Sequence, residues 1–123
     1  MSLTYEQIFL TSWDEVAPFF TSSRAFPWVK PVGVLVGELR SRGYDRLFRA
    51  GTATWFFVMS RSKVHGLRPG QHSLSIRSMP HHQKVWFVYE DSGTLDESVE
   101  LDRPEMTPDV ERLLARLASQ PID

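Results

Sequence analysis

The chain has no cysteine, no apolar run long enough to cross a bilayer and no phosphate-binding glycine motif. Each absence removes a class of protein. Without thiols there are no disulfides, thiolate metal centres, iron–sulfur clusters or cysteine nucleophiles, and the composition fits a reducing compartment. The longest apolar stretches, Trp55 to Met59 and Val85 to Tyr89, fall far short of the about 20 residues a membrane-spanning helix needs. No basic segment followed by an apolar core and a cleavage site opens the sequence, so a cytoplasmic location is expected and no membrane partner is. Gly66 and Gly70 do not fit G-x-x-x-x-G-K-[ST], and Ser60, Ser62 and His65 come without the G-x-S-x-G elbow of a serine hydrolase.

What is present suits one domain spanning residues 1–123, with 41% hydrophobic and 12% aromatic residues to fill a core. Tyr5, Ile8, Phe9, Trp13, Val16 and Phe20 recur at helical spacing behind a Thr4/Gln7 capping box. Pro18 predicts that the regular helix ends near Ala17 or kinks there, and a second box at Ser12 to Glu15 leaves two short helices open. Residues 21–31 read as an extended connection. Pro31 then starts a second helix with Val32, Leu35, Val36 and Leu39 on one face and Gly43 as its stop. Gly33, Gly37 and the alternating valines keep a strand open as the alternative for residues 32–42.

From Tyr44 the period changes to two. A short strand is expected over Tyr44 to Arg49, a turn or bulge at Ala50-Gly51, and strands over Thr52 to Ser60, His72 to Ser78, Lys84 to Glu90 and Leu95 to Leu101. Asp91-Ser92-Gly93 is a hairpin turn. Acids alternating along the last strand mark an exposed edge. Thr107 caps a final helix, with Pro108 in its first turn and Val110, Leu113, Leu114 and Leu117 as its stripe. The expected fold is therefore α+β: an antiparallel four- or five-stranded meander with two N-terminal helices and one C-terminal helix. Because Thr52 to Ser60 and Lys84 to Glu90 are apolar on both faces, the sheet is expected to need a second cover, either the first helix or another copy of the chain, which makes a homodimer one expectation.

Net charge is −1, but residues Arg40 to Arg77 carry +7 and Lys84 to Asp123 carry −6. The simplest reading is mutual neutralisation across the fold; the sharper one is an anion-attracting surface. Its focus is Ser60 to His72, where two hydroxyls, three cations, two imidazoles and two glycines share one loop. Arg61, Lys63, His65 and Arg68 are the candidate binding residues, with Arg46 and Arg49 nearby. A metal is not expected, since His65, His72, His81 and His82 lack ligand spacing, and neither is a cofactor. Nucleic acid is disfavoured because Trp55 looks like core and most other aromatics fall on stripes; Trp28, beside Pro27, is the one no stripe explains. The expected function is a small non-catalytic binding or accessory module for a protein partner or small anionic ligand. The alternative is a metal-free phosphate-directed enzyme using His65 or His72.

Overall fold

The computed structural model describes residues 3–22 and 24–123. Helix α1 spans Tyr5–Thr21 and helix α2 Lys30–Ser41, followed by strands β1 (Arg49–Ala53), β2 (Phe56–Ser60), β3 (His72–Arg77), β4 (Val85–Asp91) and β5 (Thr94–Leu101), and helix α3 (Pro108–Ala118). The five strands form one antiparallel sheet in sequence order, a meander with β1 and β5 as its edges.

Helix α1 opens on the Thr4/Gln7 capping box and runs through Pro18 without stopping at Ala17. The proline removes the donor to the Asp14 carbonyl, but Asp14 is solvent-exposed, so water can serve that oxygen in the last turn. Residues 32–41 are helix, not strand, and Val32, Leu35, Val36 and Leu39 are all fully buried. Gly33 is the reason α2 can lie against α1: a Cβ there would sit 2.2 Å from the Phe20 carbonyl oxygen.

The strand boundaries differ from expectation at one end of the sheet. Tyr44–Arg46 is a single 3-10 turn, and Ala50 and Gly51 lie inside β1. The reversal falls instead at Thr54-Trp55, which splits the expected Thr52 to Ser60 strand in two, with Ala53 paired to Phe56. Thr54 makes this turn at φ 56°, a region that a β-branched residue enters only at a cost.

Alternation assigns every strand residue to a face. Ala50, Met59, Leu74 and Tyr89 form one cross-strand row, and Phe57, Ile76 and Phe87 the next. All of these are buried with the apolar residues of α1, α2 and α3 in one core, so the three helices cover the same face. Trp13 and Phe20 meet Phe57 edge-on at 4.9 and 5.5 Å, and the Trp13 indole N–H donates to the Phe48 carbonyl oxygen at 2.8 Å. Helix α3 is held to β5 by Arg112 on Glu97, at 2.5 Å, and by Arg116 on Asp96. The Arg112 hydrogen bond holds the Glu97 carboxyl below the usual carboxylate range.

Among the described residues no second layer of this chain covers the opposite face: α1, one of the two covers expected, packs on the same face as α2 and α3. The half-buried Phe56, Val58, Trp86 and Val88 of the opposite face are screened by their neighbours instead. The Arg77 guanidinium lies 4.6 Å from the centre of the Phe56 ring while bonding Ser75 and Glu90, and the Trp86 indole N–H donates to Glu100. Among the described residues no helix is long and apolar enough to cross a membrane.

The two glycines of α2 test this packing directly. Gly33→Ala forces a methyl group into the Phe20 carbonyl and is expected to lower stability by about 1–3 kcal/mol. Gly37, whose added Cβ would meet nothing, is expected to gain about 0.5–1 kcal/mol as alanine. Denaturant titration of both variants reads the difference, and equal effects would contradict the close helix approach.

Candidate functional site

A cleft of about 430 Å³ lies along the outer edge of β1. One wall is α1, through Ser12, Glu15 and Val16; the other is the loop residues His65, Gly66 and Leu67; the floor is β1 itself with Val58 and Ser60 beside it. Ser12 joins helix to strand. Its hydroxyl donates to the Phe9 carbonyl oxygen at 2.6 Å and accepts the Ala50 N–H at 2.8 Å, so this edge amide is satisfied by a side chain.

The loop wall is built, not loose. The buried Ser62 hydroxyl lies 2.6 Å from the Val64 carbonyl oxygen and 2.8 Å from that of Gly66. The Arg49 guanidinium donates to the carbonyl oxygens of Ser62 and Lys63, both at 2.9 Å. Gly66 and Gly70 take positive φ at 85° and 83°, and Gly70 with Pro69 makes a tight turn, closed by the Gln71 N–H on the Arg68 carbonyl oxygen.

The six basic candidates are not gathered into one cluster. Arg49 and His65 border the cleft. Arg61 turns away from it, donating to the Leu47 carbonyl oxygen at 2.7 Å and the Gln120 carbonyl oxygen at 3.1 Å, and its partial burial lowers its pKa. Arg46 does not line the cleft and pairs with Glu6 of α1 at 3.5 Å. The side chains of Lys63 and Arg68 make no ion pair or hydrogen bond among the described residues, and Arg68 is exposed. Of the acids near the cleft, Glu15 is exposed and has no ion-pair partner among the described residues.

A second, smaller depression of about 90 Å³ brings Arg61 beside His72, with Gly70, Gln71 and Gln120. His72 Nδ1 lies 2.6 Å from the Tyr89 hydroxyl and Nε2 3.3 Å from the Asp91 carboxylate. The carboxylate facing Nε2 favours a proton on that nitrogen, and the Tyr89 hydroxyl, pushed up in pKa by burial, can then donate to Nδ1. His81 and His82 stand apart on the turn after β3, where His81 takes φ 68°. Among the described residues no three of His, Asp and Glu converge as metal ligands.

The unexplained aromatic of the sequence is a packing device. Trp28 stacks on Phe26 at 4.7 Å and meets Trp55 edge-on at 6.3 Å, while the Trp55 indole N–H donates to the Ser78 carbonyl oxygen. Sequence reasoning missed the α1 wall of the cleft and the bare strand that floors it. The available signal was Gly51, which reads as a turn residue but sits mid-strand with no positive φ and nothing within 4 Å of an added Cβ. No protein-family model matches the chain, and comparison with curated proteins and with solved structures returns no match.

The hydrogen bonding separates two loop arginines that composition makes equivalent. Arg61→Met removes two charge-assisted bonds to carbonyls and is expected to cost about 2 kcal/mol in a denaturant titration. Arg68→Met is expected to stay within about 0.5 kcal/mol of the parent. Equal losses would contradict the assignment of Arg61 to a structural role.

Proposed function

We propose that this protein is a non-catalytic binding module that holds a protein partner in the cleft between α1, β1 and the loop 61–67. The observation that supports this reading is the cleft itself: about 430 Å³ at a sheet edge, with Val16, Val58 and Leu67 for apolar contact and Glu15, Arg49 and His65 for polar selection. Lys63 and Arg68 stand beside the cleft with side chains free of partners among the described residues, available to acidic groups elsewhere on the partner's surface, outside the segment that the cleft holds. A benzophenone photo-crosslinker at Leu67 tests the site, with the same group at exposed Val34 of α2 as control. A discrete adduct in cells from Leu67 only, lost when Gly51→Trp fills the cleft, is the expected result; adducts indifferent to position or to cleft filling would sink the reading.

One observation favours a second reading, a metal-free phosphate-directed enzyme: His72, braced by Asp91, shares a depression with the Arg61 cation. Against it, both ring nitrogens already face intramolecular partners. Hydrolysis of bis(p-nitrophenyl) phosphate that disappears in His72→Ala supports the enzyme, and a rate indistinguishable from buffer removes it.

A further inference from the structure

Resting on the reading of the cleft as a binding site, we infer that its occupant is an extended polypeptide segment that pairs with β1 as a sixth strand, bearing apolar and basic side chains in alternation. Four features of the edge carry this.

Strand parity comes first. The Ala50 N–H points out of the sheet to Ser12, so the backbone groups of Arg49, Gly51 and Ala53 face β2 and those of Thr52 face the cleft. Thr52 thus offers an N–H and a C=O at the position where a neighbouring strand, about 4.8 Å away, would take them up.

Gly51 is the second feature. A glycine weakens a strand, and here neither backbone angle nor internal crowding requires one. Glycine inside a strand fits a place where another backbone comes close. With Ala50 and Ala53 on either side, the floor is kept low over the middle of β1.

The third is the contrast between the two edges. β5 runs eight residues and carries Asp96, Glu97 and Glu100, the charged pattern that discourages strand addition. β1 has no acid, and its one charge, Arg49, is turned onto the loop carbonyls.

The walls give the fourth, by choosing side chains. Residues of an added strand alternate between the two faces of the sheet. Those on the uncovered face, beside Gly51 and Ala53, meet Val58 and Leu67, with His65 on the same wall and Arg49 held on the loop carbonyls, and should be apolar and not cationic. Those on the α1 side, beside Ala50 and Thr52, meet Val16 and the unpaired Glu15 carboxylate, so a lysine or arginine complements that wall.

The test is selection of random linear peptides on the intact protein, followed by binding titrations and amide hydrogen exchange by NMR. Expected are extended peptides alternating apolar and basic residues, weakened about tenfold or more by Gly51→Trp and by Glu15→Lys. Main-chain N-methylation should abolish binding at the peptide residue opposite Thr52 and be tolerated at the residues on either side of it. The Thr52 amide should gain protection on binding. Should Gly51→Trp fail to melt cooperatively, Leu67→Arg on the exposed loop blocks the same cleft. Peptides that respond to cleft blocking but leave Thr52 exchange unchanged and tolerate N-methylation overturn strand addition while keeping the site. Selection that yields no peptide sensitive to either blocking variant overturns both.

Discussion

The two-residue alternation of a β-strand is the constraint on which the molecule depends. It turns Ala50, Phe57, Met59, Leu74, Ile76, Phe87 and Tyr89 toward one core, where α1, α2 and α3 bury their stripes. The same alternation applies to the backbone, where successive amides point to opposite sides of the strand. In β2, β3 and β4 both sides are paired, so the alternation has no outward consequence. In β1 it leaves one side to Ser12 and the cleft. Core and open edge are therefore two results of one geometry, and moving the register of β1 by one residue would destroy both.

Most of the fold could be read from local pattern because local chemistry and tertiary packing agree there. Thr107, Pro108 and the stripe Val110, Leu113, Leu114 and Leu117 do in the structure what their spacing implies. Asp91-Ser92-Gly93 turns with positive φ at Ser92 and Gly93, as a two-residue hairpin requires. The failure at Thr54-Trp55 has a physical origin. Trp55, Phe56, Phe57, Val58 and Met59 form an unbroken apolar run, and the reversal inside it uses neither glycine nor asparagine. It is held from outside, by the Trp55 indole on the Ser78 carbonyl and by Trp28 against its ring. Tertiary contacts of this kind leave no periodic trace. The candidate site was legible in its loop and not in its floor: the basic composition of residues 61–72 was visible, while the carbonyl oxygens of Leu47 and Gln120 that occupy Arg61 are groups every residue possesses.

The segregation of charge along the chain dissolves in three dimensions, though only partly by pairing the basic half with the acidic half. Arg42 reaches Glu111 and Arg77 reaches Glu90 across that divide. Arg40 and Arg46 turn to the acids of α1 instead, and Arg112 and Arg116 neutralise Asp96 and Glu97 within the acidic half. Exposed pairs of this kind stabilise little individually. Their effect is selective: they pair Glu6 and Asp14 of α1, Glu111 of α3 and Asp96, Glu97 and Glu100 of β5, while Arg49, Lys63, His65 and Arg68 have no acidic partner among the described residues.

Three unfavourable local features of the fold sit together at one corner. Gly51 loses backbone entropy that a side chain would spare, Thr54 holds a conformation costing about 1–3 kcal/mol, and β1 leaves Thr52 unpaired at a sheet edge. Elsewhere departures stand singly, such as Gly37 in α2 and His81 at φ 68°, while α1 and α3 are capped, Gly33 has a steric cause and the opposite edge carries acids. Scattered departures would signify only marginal optimisation. The grouping along β1 and its turn, against a cleft walled by a helix and a stapled loop, supports the proposed reading of that edge as a binding site.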